Sequence, residues 1–354
     1  MTKLYSGVYA TPFHSRTAVH NKCNAWVRRG TFTVPRHFGN VEREVLAARF
    51  SAIVADLSAM GRLRVSGEGA MRLLTSALNS DIETIKTGEA REVYWTNDGG
   101  GVRGVGVAAR YGEANFLLEA IDTDRDWFAT AAPRFEAKLR DETTEKGLLL
   151  LAGPYARQIL EAAGLEGAAK LGPFAHIICS WNGISISVAH RPALGGYEIS
   201  CSRDDGLIVF DRISEAGRPF ALTLIGQEAL ELLQLEAGIP IIGLDYSPAR
   251  SPNGGDPSPA SIGCATNGAT GVALAGVEWD GREAASFAPL LRLGQKIGHT
   301  LRSAYSPAGC RMIALAQVPA DQAQRGNELQ LRIGGDKSDD LVSVRVRPLP
   351  FLSL

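Results

Sequence analysis

Apolar residues along this chain switch repeatedly between a helical and a strand period. Gly39–Ser51 (GNVEREVLAARFS) has helical spacing, with Val41, Val45, Leu46 and Phe50 on one side. Asp56–Gly67 (DLSAMGRLRVSG) alternates Leu57, Met60, Leu63 and Val65 with small or polar residues, which predicts strands with a turn near Gly61. Glu68–Asn79 then predicts a helix with Ala70, Leu73, Leu74, Ala77 and Leu78 as its apolar face. Val93–Trp95, Val102–Ala109 and Asn115–Ala120 read as strands of a glycine-punctuated meander, and Asp124–Arg140 as a helix kinked or restarted at Pro133.

The plan then repeats. Leu148–Gly164 (LLLLAGPYARQILEAAG) predicts a strand followed by a helix, with Gly153-Pro154 at the helix start. Gly183–Val188 and Gly196–Cys201 predict strands, and Arg203–Gly217 and Gln227–Ala237 helices. A strand–helix–strands pattern appearing twice predicts an α+β core with a pseudo-repeat. From Asp245 to Thr270 the chain is rich in Ser, Pro, Gly, Asn and Ala, which is linker chemistry. Leu291–Leu354 reads as short strands with turn signals, fitting a small C-terminal β-barrel. The expected organisation is a core over 1–275, in two sub-modules split near 147, and a barrel over 276–354.

Composition narrows the function classes. At 354 residues, with 45% hydrophobic and 21% charged residues, the chain has the make-up of an ordinary globular protein of two or three modules. A net charge of −1 gives no broad electrostatic footprint for nucleic acid or an anionic membrane. The five cysteines (Cys23, Cys179, Cys201, Cys264 and Cys310) show no ligand spacing and read as buried free thiols in a reducing compartment. No apolar run approaches the roughly 20 residues that span a bilayer, and the N-terminus has no signal-like apolar stretch, so a cytoplasmic location is expected. No histidine–carboxylate cluster points to a metal, and GGGVRGVG runs into a strand pattern, which argues against a dinucleotide site.

Six segments, in order, resemble the glycine-cleavage T-protein (aminomethyltransferase) family: YATPFHSR at Tyr9–Arg16, DLSAMGRLRVSG at Asp56–Gly67, LLTSALNSDIETIKTGEA from Leu73, LQLEAGIPIIGLD at Leu233–Asp245, EWDGREA at Glu278–Ala284, and SAYSPAGCRMIALAQVP with the closing VRPLPF. The resemblance implies a T-protein-like folate-binding core plus the barrel, with tetrahydrofolate as cofactor and a small-molecule methyl or one-carbon donor as partner. It implies neither nucleic acid nor membrane and leaves the oligomeric state open. The KGC-type motif of the family's iron–sulfur maintenance branch is absent, since Gly263-Cys264 lacks the lysine.

The departures concern chemistry. The family's glycine pair is followed by an acidic pair that supplies its catalytic aspartate; here the aligned positions are Gly104 and Val105. Asp98, on the same turn, is a candidate substitute acid, although NDGG is first of all a type I′ hairpin signal. Arg103 adds positive charge and suits an anionic substrate. The family's folate-contacting tyrosine aligns with Glu92, and Tyr94, two residues on, faces the same side of a strand. The family's RTGYTGEDGFE loop is shortened to RPALGGYEI, leaving Tyr197 and Glu198. Candidate catalytic residues are therefore Tyr94, Asp98, Arg103 and Tyr197, with Tyr9, His14, His37 and His190 as further acid–base groups.

Among cofactor-binding candidates, Glu236 matches a family glutamate implied to accept hydrogen bonds from the pterin, the competing reading being a solvated helix-end residue. Met60 matches a pocket-lining position, and Arg282 a partner for the folate tail. Together these imply a tetrahydrofolate-dependent methyl transferase or demethylase acting on a carboxylate or phenolate, such as an aromatic methoxy compound. A folate-independent lyase releasing formaldehyde, or a non-catalytic folate-binding protein, is the alternative on the same fold.

Overall fold

The computed structural model describes residues 3–5, 7–96, 102–246, 271–334 and 340–352. Asp98, Gly263 and Cys264 lie outside them. The chain divides into two compact units, one of Met1–Trp95 with Gly104–Leu230, the other of Thr96–Arg103 with Glu231–Ser353.

In the first unit, strands β1 (Lys3–Tyr5), β2 (Val8–Ala10), β3 (Trp26–Arg29) and β4 (Phe32–Pro35) form a small sheet, with helix α1 (His14–His20) between β2 and β3. Helix α2 (Val41–Phe50) starts where the Asn40 side chain accepts from Arg43 N. Its apolar face is narrower than its sequence suggests: Val45 is buried, but Phe50 is 75% exposed.

Two larger sheets carry the repeat. After β5 (Ala52–Asp56), the first copy runs β6 (Gly61–Ser66), α3 (Ala70–Ala77), β7 (Ala90–Thr96), β8 (Val102–Gly112), β9 (Asn115–Ala120), α4 (Arg125–Ala131) and β10 (Lys138–Asp141). The second runs β11 (Lys146–Ala152), α5 (Ala156–Ala162), α6 (Glu166–Ala169), β12 (His176–Trp181), β13 (Ile184–Arg191), β14 (Gly196–Ser202), α7 (Gly206–Gly217) and β15 (Leu222–Ile225). The sheet orders are β7-β8-β9-β6-β10 and β12-β13-β14-β11-β5-β15. They are the same arrangement, except that β5 is wedged between β11 and β15, antiparallel to the former and parallel to the latter.

Sequence echoes this at the strand-to-helix corners, SGEGAMRLL (66–74) and AGPYARQIL (152–160). Gly67 (φ 98°) and Gly153 (φ 101°) occupy equivalent places in the left-handed region, which a side chain disfavours. The helix expected over Asp124–Arg140 is instead α4, a 3₁₀ turn at Ala132–Phe135 and strand β10. Pro133 cannot donate to a continuing α-helix, and Glu136 turns the chain with φ 58°.

Helices cover the outer face of each sheet. Ile159, Leu160, Val209, Phe210 and Ile213 pack on Leu149, Leu151, Val188 and Ile199 of the six-stranded sheet. Leu73, Leu74 and Phe128 pack on Leu63, Val65, Trp95 and Phe116 of the five-stranded one. Because side chains alternate along a strand, the residues between these core positions all turn to the inner faces. They include Arg62, Arg64, Tyr111, Leu117, Glu119, Ser187, Arg191, Glu198 and Ser200, and hydrogen bonds such as Arg62 Nη1 to Ser200 Oγ (3.1 Å) join the two inner faces.

The second unit contains the C-terminal part of α8 (Gln227–Glu236) and a closed barrel. The barrel order is β16 (Val272–Trp279), β19 (Arg311–Pro319), β18 (Gln295–Ser306), β17 (Pro289–Arg292), β20 (Glu328–Arg332) and β21 (Leu341–Arg347). Its interior is filled by Val277, Leu290, Ala314, Leu331 and Val346. The expected boundary position, 275, falls inside β16. Among the described residues, no helix is long and apolar enough to cross a membrane.

Gly104 is fixed by packing. A Cβ added there stands 2.1 Å from Trp95 Cζ2, and Trp95 is fully buried, with its indole N–H donating to Asp124 Oδ2 at 3.2 Å. Replacing Gly104 by Ala therefore lowers unfolding stability by about 1–3 kcal/mol, the usual range for overpacking, and Gly104→Asp by more. Urea denaturation of Gly104→Ala, Trp95→Ala and the double variant measures this. A Gly104→Ala loss that persists undiminished in the Trp95→Ala background refutes the collision.

Candidate functional site

The strongest concentration of buried charge lies where the two inner faces meet. Arg191, at the end of β13, reaches Glu119 on β9 with Nη2 to Oε2 at 2.5 Å and Glu198 on β14 with Nε to Oε2 at 2.7 Å. All three residues are at most 6% exposed. One guanidinium thus serves two carboxylates away from water. Burial works against the Arg191 charge, but Glu198 and Glu119 outweigh it and hold its pKa above the usual arginine value.

The cluster keeps unspent hydrogen-bonding capacity. Among the described residues, Arg191 Nη1 has no acceptor, and Glu198 Oε2, though ion-paired, receives no aligned hydrogen bond. Buried polar groups rarely stay unsatisfied without a functional reason. Burial is the largest influence on Glu198 and Glu119 reinforces it; against Arg191 and Arg62 they push its carboxyl up to about 7. His176, with its ring 4.2 Å from that of Tyr111, is pulled down to about 4 by burial and then by the Arg191 charge.

The cluster sits midway along the seam. Arg62 pairs with Glu119 across β6 and β9, and Met60 just precedes β6. Met60 is half-buried, with its N–H donating to Leu57 O at 2.8 Å. Tyr94 alternates with the core residues Val93 and Trp95, so it faces the inner side of its sheet at the β7 edge, half-buried. Tyr197 does not join them. It points from β14 into the helix-covered core, where its hydroxyl donates to Ala169 O at 3.2 Å and its ring stacks on His190 at 4.9 Å. This commitment to packing and to a backbone carbonyl removes Tyr197 as an exchangeable acid.

Arg103, next to Gly104 on β8, is half-buried and points to the opposite face of the strand from Gly104. In the second unit, Glu236 is fully buried and its Oε1 accepts from Ser306 Oγ at 2.5 Å, while its carbonyl holds Leu352 N at 3.0 Å. The solvated helix-end alternative for Glu236 is thereby excluded. Arg282 is exposed, with its guanidinium 4.1 Å from the ring centre of Tyr305. Tyr305 and Ser306 are successive residues of β18, so Arg282 and Glu236 meet opposite sides of that strand.

The other acid–base candidates are dispersed. His14 lies against Trp26 at 4.7 Å, His37 Nδ1 accepts from Gly39 N, and Tyr9 is in β2.

Sequence reasoning passed over Arg62, Glu119 and Arg191. The signal was present in GRLRVS and NFLLEA, where charge alternates with core residues, but such strands ordinarily expose that face to water.

Glu198 and His176 impose opposite pH dependences. Folded, Glu198 keeps its proton up to about 7, whereas unfolded it releases it near 4.5, so its contribution to stability falls as pH rises through that interval. His176 binds a proton only below about 4 when folded but near 6.5 when unfolded, so its contribution rises between those values. Glu198→Gln therefore makes the stability slope over this range more positive than in the wild type, by up to about 1.4 kcal/mol per pH unit. Urea denaturation at several pH values tests this, and identical slopes in both proteins refute it.

Comparisons with known proteins agree with this architecture. Residues 13–255 match the GCVT N-terminal domain family and residues 273–352 the glycine cleavage T-protein C-terminal barrel domain. An aminomethyltransferase of Deinococcus deserti is 28% identical over 326 residues, covering 88% of this chain and 89% of the relative. One from Geobacillus kaustophilus is 27% identical over 368 residues, covering 96% and 98%. In three dimensions, the chain is similar to the glycine cleavage system aminomethyltransferase T of Bartonella henselae, with a TM-score of 0.83, 21% identity and 98% coverage of both chains. With one family matching most of its core and a second its barrel, the chain belongs to the glycine-cleavage T-protein family.

Proposed function

We propose that this protein transfers a one-carbon group, most specifically a methyl group from an anionic donor, to tetrahydrofolate. The observation that carries this reading is the unspent donor and acceptor of the buried Arg191–Glu198 pair. A pterin edge presents adjacent N–H groups beside a carbonyl oxygen. A carboxylate oxygen with spare acceptor capacity and a guanidinium N–H with no acceptor complement that edge. Tetrahydrofolate, when bound, supplies a nucleophilic ring nitrogen that accepts the one-carbon unit.

The residues of this chain bind and orient. Glu198 receives the pterin N–H groups, Arg191 donates to its carbonyl, and Glu119 holds the Arg191 guanidinium in place. This assigns pterin recognition to Glu198 in preference to Glu236, whose carboxylate is engaged by Ser306. Met60 gives the pterin an apolar neighbour.

The preference for demethylation over aminomethyl transfer rests on Gly104. Trp95 leaves no room for a side chain at Gly104, and Val105, the other position aligned with the family's acidic pair, is apolar, so no carboxylate at either can steady positive charge developing on an amine. Methyl transfer from a carboxylate-bearing aryl ether asks instead for a cation to orient the donor and an acid to protonate the leaving phenolate. Arg103 serves the first role and Tyr94 the second.

Titration calorimetry with tetrahydrofolate tests the pterin assignment. Glu198→Gln weakens binding at least tenfold, or about 1.4 kcal/mol, with an unchanged circular dichroism spectrum. Unaltered affinity removes Glu198 from the site. Formation of methyl-tetrahydrofolate from a methoxybenzoate tests the donor class: Arg103→Gln raises KM for that donor, and a wild-type protein that binds folate yet demethylates no anionic donor overturns the assignment.

A further inference from the structure

Along the seam, away from Met60, the two sheets part to leave a cleft of about 470 Å³. Its lining includes Leu117, Ser187 and Ser200, two to four positions beyond the Glu119–Arg191–Glu198 cluster on its own strands, and Arg62 and Arg64 of the neighbouring β6. Two residues of strand correspond to about 7 Å, and neither Met60 nor Arg191 lines the cleft. Arg62, which lines the cleft, is in register with Glu119 of the cluster.

We propose that this cleft binds a small organic anion, with its carboxylate or phosphoryl oxygens set between Arg62 and Lys146.

The charge inventory of the walls supports this. They carry four cations, Arg62, Arg64, Arg140 and Lys146, and one carboxylate, Glu142. Glu142 is spent on Arg64, which grips it through Nε at 3.0 Å and Nη2 at 2.9 Å. Arg140 is paired with Glu145. Arg62 and Lys146 are left without an ion-pair partner among the described residues. Arg62 is only 1% exposed. It donates to Ser200 Oγ at 3.1 Å and Lys146 O at 3.0 Å, and its Nε has no acceptor. A guanidinium does not shed its proton to escape burial; burial outweighs the pull of Glu119, Glu198 and Glu142 on the Arg62 charge, so a further anion at Arg62 is favoured. The nearby carboxylates Glu119 and Glu198 are already shared by Arg191.

Shape selects an organic anion over a bare ion. Leu117 on one sheet and Ile178 on the other give the cleft apolar lining, and the volume is in the range of small-molecule sites. The opposite side is pinned: Arg64 lies over the Tyr111 ring at 4.6 Å, and the Tyr111 hydroxyl is 3.1 Å from Ser187 Oγ. Ser200 Oγ, which accepts from Arg62, keeps its own proton to donate.

This site does not rest on the folate reading, and the test separates the two. Calorimetric titration of the intact chain with sodium citrate and with sodium phosphate, each against sodium chloride at matched ionic strength, reads the anion site. Binding of either probe with a Kd below about 1 mM supports it: citrate alone indicates a carboxylate ligand, phosphate alone a phosphoryl ligand, and both a site reading charge alone. Lys146 is half-buried and, among the described residues, its ammonium makes no hydrogen bond or ion pair, so Lys146→Gln retains the fold. It weakens the bound probe about tenfold, as expected for one charge-assisted hydrogen bond. No heat beyond the chloride control, an unchanged Kd in Lys146→Gln, or displacement of the anion by saturating tetrahydrofolate overturns the proposal.

Discussion

The contact on which the first unit depends is the single guanidinium of Arg191 between Glu119 and Glu198. Each large sheet is conventional on its helix-covered side, where Leu, Ile, Val and Phe pack to a dry core. The inner sides are different, because two sheets meet there through arginine, glutamate, serine and tyrosine. Buried ion clusters of this kind seldom add net stability over well-packed apolar residues, since desolvation offsets the attraction. Breaking one, by contrast, strands a charge at a cost of about 3–5 kcal/mol. The seam therefore fixes how the two sheets register against one another more than how tightly they hold. It also leaves the polar capacity that a ligand can use.

The helices and strands of the fold were largely legible in the sequence because they follow from periodicity. SGEGAMRLL and AGPYARQIL announce the same strand-to-helix corner twice, and the barrel follows from short strands between turn signals. What escaped was whatever depends on a second layer. Arg62 and Arg64 in GRLRVS look like the wet face of a half-buried strand, and only the other sheet, contributed by residues more than 80 positions later, turns that face inward. Phe50 failed the opposite way, since a helical stripe in sequence says nothing of where the supporting core ends. Tyr197 and Glu198 are neighbours in one motif, yet strand alternation sends the tyrosine to the core and the glutamate to the seam.

Gly104 shows how a missing functional group can be built into a fold. An absent aspartate is easily read as drift, reversible by one substitution. Here the space that a side chain needs is filled by the Trp95 indole, itself anchored on Asp124. At Gly104 the absence of an acid is a packed state of the core, whereas at Val105, on the other face of the strand, it is a change of side chain alone.

The wedged position of β5 reaches beyond the site. The six-stranded sheet borrows its strand between β11 and β15 from a segment preceding the first copy of the repeat. A chain cut between the copies leaves a vacant slot with two unpaired strand edges in the later half, and such edges invite association with other chains. The slot is filled from Ala52–Asp56 and completed by Leu222–Ile225, so closing the sheet requires contacts spanning about 170 residues, a topology that folds slowly. The repeat that suggests two interchangeable modules thus describes a single cooperative body, in which neither half is an evolutionary or experimental cassette.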